Sequence, residues 1–166
     1  AGADFLVRHV ADDLADRLSA VGRQFTAASA LFSWTPSAAE AVVASGKAMA
    51  AERVEADSAF LQGGQGLVSE LDRVPFEPAT RDLIVSLLSL QEANDIPGLL
   101  VQIRRSLRPD GLFLAAFAGA GTLAELRESL LAAETEVTGG ASPRIVPFTD
   151  VRDAGALLQP AGFALP

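Results

Sequence analysis

The sequence predicts an α/β fold, a doubly wound and mainly parallel sheet with helices on both faces. Two continuous apolar runs, Leu83-Ile84-Val85-Ser86-Leu87-Leu88 and Leu112-Phe113-Leu114-Ala115-Ala116-Phe117, lack the alternation of half-exposed strands and read as strands covered on both sides. Between them Ile96, Leu99, Leu100, Ile103 and Leu107 recur at helical spacing. Candidate strands and helices alternate along the chain, which implies right-handed crossovers between parallel neighbours.

The elements follow in order. Leu6, Val7, Val10, Leu14, Leu18 and Val21 recur every three to four residues with Asp12, Asp13, Asp16 and Arg17 between them, giving an amphipathic N-terminal helix over residues 1–22 closed by Gly22. Residues 25–33 are short, apolar and uncharged, as a buried first strand would be. Thr35 then Pro36 supplies a hydroxyl cap and a proline at the first helical position, opening an alanine-rich helix to about Met49. Residues 53–60 and 67–71 are weaker strands separated by Gly63, Gly64 and Gly66. Asp95 caps the next helix, which ends before the Pro109-Asp110-Gly111 turn. Thr122-x-x-Glu125 reads as a capping box for a helix running to Val137 and ended by Gly139-Gly140. Thr149 or Asp150 caps a last helix before Gly162.

The length of 166 residues suits a single domain, with residues 23–166 as its core. About half the residues are apolar and a fifth charged, ordinary globular composition. The net charge of −8 argues against nucleic acid or an anionic membrane as partner, since such binding rests on clustered cations. Arg104, Arg105 and Arg108 stand at a helix end, where cations complement the last carbonyls. With no cysteine and one histidine there is no thiolate chemistry and no His-based metal site. No apolar run approaches the roughly 20 residues of a membrane span, so a cytoplasmic location is the default. Gly63-Gly64-Gln65-Gly66 lacks the strand-then-helix context of a dinucleotide loop and reads as a flexible connection. The chain starts at Ala1 rather than Met and stops within what reads as a strand start, as a fragment or processed form would.

Three passages carry a family resemblance. Val74-Pro75-Phe76-Glu77-Pro78 with Arg81-Asp82-Leu83-Ile84-Val85-Ser86 resembles the entry into the fourth strand of class I S-adenosylmethionine-dependent methyltransferases. Asn94-Asp95-Ile96-Pro97-Gly98, Gln102-Ile103-Arg104-Arg105 and Leu107-Arg108-Pro109-Asp110-Gly111 are similar to that family's crossover helix and following turn. Thr122-Leu123, Glu125-Leu126-Arg127, Thr138-Gly139-Gly140-Ala141-Ser142-Pro143-Arg144 and Pro147-Phe148-x-Asp150-Val151-Arg152-Asp153 narrow the resemblance to bacterial relatives of a mitochondrial complex I assembly factor. It implies a Rossmann-like fold, here lacking its C-terminal strands, and S-adenosylmethionine as cofactor.

The resemblance places cofactor contacts at Ser33, Trp34, Asp57, Glu70 and Ser86. Asp57 is preferred over Glu55 as the acid for the ribose hydroxyls, and Glu70, with Asp72 beside it, falls at the acidic position near the adenine. Where the family has glycines after the first strand, this chain has Leu31-Phe32-Ser33-Trp34-Thr35-Pro36-Ser37, whose side chains narrow the space the family leaves open. Trp34, the sole tryptophan, either fills the vacated pocket or packs as core, and core packing is preferred because large aromatics mostly supply buried area. The family branch's substrate-facing His-Trp pair is replaced within Ser89-Leu90-Gln91-Glu92-Ala93, so no catalytic residue is assigned. Two functions follow: a divergent methyltransferase with weakened cofactor binding, or an inactive relative acting on a protein partner in assembly or regulation.

Overall fold

A computed structural model describes residues 4–140, 142, 144–145 and 148–164. Ala141, Pro143 and Pro147 of the family-like passage lie outside the described residues. Contacts group the chain into two compact units, one built on the residues up to Phe117 with those from Leu157 onward, the other running from Ala118 to Ala156.

The first unit holds a five-stranded sheet of order β3-β2-β1-β4-β5. Its strands are β1 (Ala28–Leu31), β2 (Ala51–Glu55), β3 (Leu67–Val68), β4 (Arg81–Leu87) and β5 (Leu107–Ala116), and every neighbouring pair is parallel. Chain order reverses between β1 and β4, and that is the switch point at which open α/β sheets receive ligands.

Both faces are covered, as the apolar runs demand. In β4, Leu83, Val85 and Leu87 join Ala28 and Ala30 of β1 against α1 (Phe5–Ser19) and α2 (Ser37–Ala44). Ile84, Leu31 and Val54 face the other way, onto Leu99, Leu100 and Ile103 of α4 (Ile96–Ser106). One-residue alternation thus sends successive β4 side chains into two cores, which is why its sequence shows no polar face.

The Asp95 cap forms as expected, its carboxylate accepting from the Gly98 N–H at 2.9 Å. The Pro109-Asp110-Gly111 turn is a bulge inside β5 rather than a break before it. Arg81 pairs with Leu107 but Leu83 with Leu112, so residues 108–111 loop out with Asp110 at φ 60°. A Cβ at Gly111 would meet the Arg108 carbonyl oxygen at 2.9 Å, so the bulge requires glycine there.

Several boundaries differ from expectation. The first strand is shortened to four residues, because Phe25 makes only an isolated bridge to Ala48. Pro36 is the N-cap of α2 rather than its first residue, and the helix stops at Ala44, well before Met49. Residues 53–60 are not one strand. Past Glu55 the Asp57 side chain accepts from the Ala59 N–H and opens a short helix, α3 (Ser58–Leu61), so local capping overrides strand propensity. The expected strand at 67–71 contracts to two residues.

In the second unit, α5 (Ala124–Thr138) starts behind Leu123 in a left-handed conformation with no side-chain cap, so the Thr122-x-x-Glu125 box does not form. Gly139 ends it at φ 72°, as its sequence indicates. The last helix, α6 (Val151–Leu158), begins beside Asp150, whose carboxylate accepts from the Arg152 N–H at 2.5 Å.

Candidate functional site

The carboxyl ends of β1, β2 and β4 meet at the switch point, and the turn after β1 lies over it. That turn keeps left-handed backbone without glycine: Phe32 has φ 51° and Trp34 φ 60°. Each such residue costs roughly 1–2 kcal/mol relative to ordinary backbone, so the surroundings must hold it. They do so through hydrogen bonds from the Phe32 N–H to the Val54 carbonyl at 2.7 Å and from the Trp34 N–H to Glu55 Oε2 at 3.0 Å.

Glu55 is fully buried at the end of β2. Its other oxygen accepts from Arg53 Nη2 at 2.9 Å, and the same guanidinium donates to the carbonyls of Phe60, at 2.7 Å, and Leu61. Burial pushes the Glu55 carboxyl above its ordinary value, against the opposing pull of Arg53 and the N–H groups of Trp34 and Ser33. Asp57, preferred from the sequence, stands exposed as the α3 cap, whereas Val54 faces the α4 side and Glu55 beside it is enclosed beneath the β1 turn.

The Trp34 side chain crosses the switch point. Its indole Nε1 donates to the Leu88 carbonyl, just beyond β4, at 3.4 Å, and its ring meets Phe60 edge-on at 4.9 Å. Leu88 is itself left-handed, at φ 56°, and its carbonyl also accepts from Gln91 Nε2 at 2.7 Å. Gln91, within the Ser89–Ala93 stretch, therefore braces the end of β4.

The residues singled out in the sequence do not converge on one opening. Ser33 is buried, and its hydroxyl accepts from the Leu87 N–H at 3.3 Å, tying β1 to β4. Ser86 and Ser89 are buried and pair with each other at 3.0 Å. Asp57 is exposed and caps α3; Glu70 is exposed after β3. Asp72 has its carboxylate taken by the N–H groups of Asn94 and Asp95 and the Asn94 side chain, which hold it below the ordinary aspartate range. It clamps the β3–β4 connection to the start of α4.

On its other side the turn borders a cleft of about 570 Å³ reaching α1, with Asp4, Arg8, Asp12, Pro36, Ser37 and Glu40 among its walls. Three carboxylates against one guanidinium, itself paired with Asp4 at 2.7 Å, make this cleft unfavourable to anions. Among the described residues no His, Cys, Asp or Glu cluster has metal-ligand geometry, and no helix is long and apolar enough to cross a membrane.

A family profile for methyltransferase domains matches residues 40–115, from within α2 to the end of β5. Over these residues the chain is similar to methyltransferase domains, and its parallel sheet has the class I methyltransferase fold. The mitochondrial arginine-hydroxylase NDUFAF5 of Mus musculus is 52% identical over 97 residues, which are 58% of this chain and 28% of that protein. A malonyl-(acyl-carrier protein) O-methyltransferase of a Methylovorus species is 34% identical over 98 residues, 59% of this chain and 31% of that one. The match thus spans under a third of the length of these two relatives. The methyltransferase solved with its Trm112 activator from Haloferax volcanii shares the fold, with TM-score 0.71 at 19% identity over 96% of this chain and 70% of that one.

S-adenosylmethionine is the cofactor such a methyltransferase domain implies. The turn after β1 does not fit it in the arrangement seen. Side chains stand at both left-handed positions, the Trp34 N–H that could face a ligand is spent on Glu55, and the indole lies across the crevice.

Proposed function

We propose that the chain is a methyltransferase-like protein whose hold on S-adenosylmethionine is weakened by its own β1 turn. The observation that supports this is the Trp34 indole bridging to the Leu88 carbonyl across the switch point, where the fold receives its nucleoside. A ligand entering there must displace a packed indole, which subtracts from its affinity without abolishing the site. Of the acids expected to contact the cofactor, Asp57 caps α3 and Glu70 stands exposed after β3, so neither offsets the closed turn. Calorimetric titration with S-adenosylhomocysteine tests the proposal: weak heat saturating in the millimolar range is expected, and silence throughout that range counts against it.

A second reading is favoured by Gln91, whose side chain braces Leu88 within the Ser89–Ala93 stretch that replaces the family branch's His-Trp pair. On this reading the fold is a catalytically inactive scaffold for a protein partner in assembly or regulation. A solved neighbour bound to its activator supports a partner surface on this fold. Radiolabelled methyl transfer by the pure protein would rule the scaffold reading out.

A further inference from the structure

We infer that the Trp34 side chain is a latch over the β1–β4 crevice, opening by rotation of the indole while the backbone of the turn stays fixed. The inference rests on the crevice being the cofactor site proposed above. What separates a moving part from a fixed one is how each is held.

The backbone is held strongly. The Phe32 N–H is bound to Val54 at 2.7 Å, the Thr35 N–H to the Ser33 carbonyl at 2.6 Å, and the Trp34 N–H to a carboxylate that Arg53 pins in turn. Freeing the Trp34 amide would strand one oxygen of a buried acid, a large penalty. The turn therefore does not unwind to admit a ligand.

The indole is held weakly. Its hydrogen bond at 3.4 Å lies at the long limit for N–H···O. Its acceptor, the Leu88 carbonyl, already receives Gln91 at 2.7 Å, so swinging the indole away leaves no buried acceptor unsatisfied. Trp34 is only half-buried, and its freed N–H can bond to water. The edge-to-face contact with Phe60, itself 36% exposed, must also be broken. Losses of that size put the open form among ordinary minor states, about 0.1–10% of molecules. Ligand affinity is then reduced by the same fraction.

Trp34 is the sole tryptophan, so biosynthetic 5-fluorotryptophan gives a fluorine spectrum of this one side chain in the unaltered protein. Exchange between a buried and a solvent-like environment is expected in the free protein, with the solvent-like signal growing as S-adenosylhomocysteine is added. A single exchange-free resonance would overturn the latch. Trp34→Ala, and Trp34→Phe should the first fail to fold, are expected to bind S-adenosylhomocysteine at least about tenfold tighter, since the closed form no longer competes. If these variants and the unaltered chain bind equally, the latch fails and the cofactor reading stands. If exchange is seen but none of the three binds, the indole motion is upheld and the cofactor reading fails.

Discussion

The two ends of the sheet use their acidic side chains in opposite ways. At the amino end, Asp82 at the start of β4 accepts from the N–H groups of Thr26, at 2.8 Å, and Ala27, at 3.0 Å, and from the Thr26 hydroxyl, with Arg108 at 3.6 Å. Burial raises its carboxyl, but these donors outweigh burial and hold it below the ordinary aspartate value. At the carboxyl end, Glu55 is enclosed with one guanidinium and two backbone amides, and burial wins. The amino end spends its charge on tying β1 to β4. The carboxyl end uses its charge to hold a left-handed, side-chain-bearing turn over the place where the fold binds ligands.

Removing Arg53 should break this contrast most severely. Arg53→Ala leaves Glu55 buried without its cation and is expected to cost about 3–5 kcal/mol in urea unfolding. A loss under about 1 kcal/mol would mean that water reaches the pair.

Next in size is Asp82→Ala, which leaves the Thr26 and Ala27 N–H groups to water and is expected to cost about 1–2 kcal/mol. The pH profile sharpens the comparison further. Asp82 has its folded value below the ordinary 3.8, so the unfolded chain binds the extra proton, and its stabilisation is complete above 3.8 and lost as pH falls through the folded value. Glu55 has its folded value above the ordinary 4.5, so the native state holds the extra proton, and stability declines as pH rises from 4.5 through the folded value. Asp82→Asn should flatten the acid limb of a stability-versus-pH curve and Glu55→Gln the limb above it. Identical curves for the two variants would erase the distinction.

The smallest effect concerns backbone alone. Ala79, before β4, is exposed with φ 53°, so Ala79→Gly relieves a left-handed alanine and loses no packing. A gain of about 0.5–1 kcal/mol in thermal unfolding is expected, against the entropy that glycine adds to the unfolded chain. Trp34→Gly relieves the same geometry but forfeits the ring, so a larger gain there would contradict a packed indole.

The same contrast governs what could be read from the sequence. The long apolar run of β4, the helical period and Asp95 cap of α4, and Gly139 behind α5 are local signals that agree with the packing they serve, and each was legible. Residues 53–60 misled because Arg53, Val54 and Glu55 have strand character up to the point where Asp57 caps a helix, and a cap two residues from a strand end leaves no periodicity to read. The Thr122 box was plausible chemistry that the left-handed Leu123 displaced. The missing glycines were visible after β1. That Phe32 and Trp34 would nonetheless keep the left-handed backbone was not, because it depends on Val54 and Glu55, some twenty positions away.

Helix α5 encloses none of its fifteen residues, and Leu126, Leu131 and Val137 stand open to solvent. A segment with no share in a core owes its order to local propensity, and frays without waiting for the sheet to melt. Deuterium should therefore enter its amides far sooner than those of β4, whose middle sits between two cores.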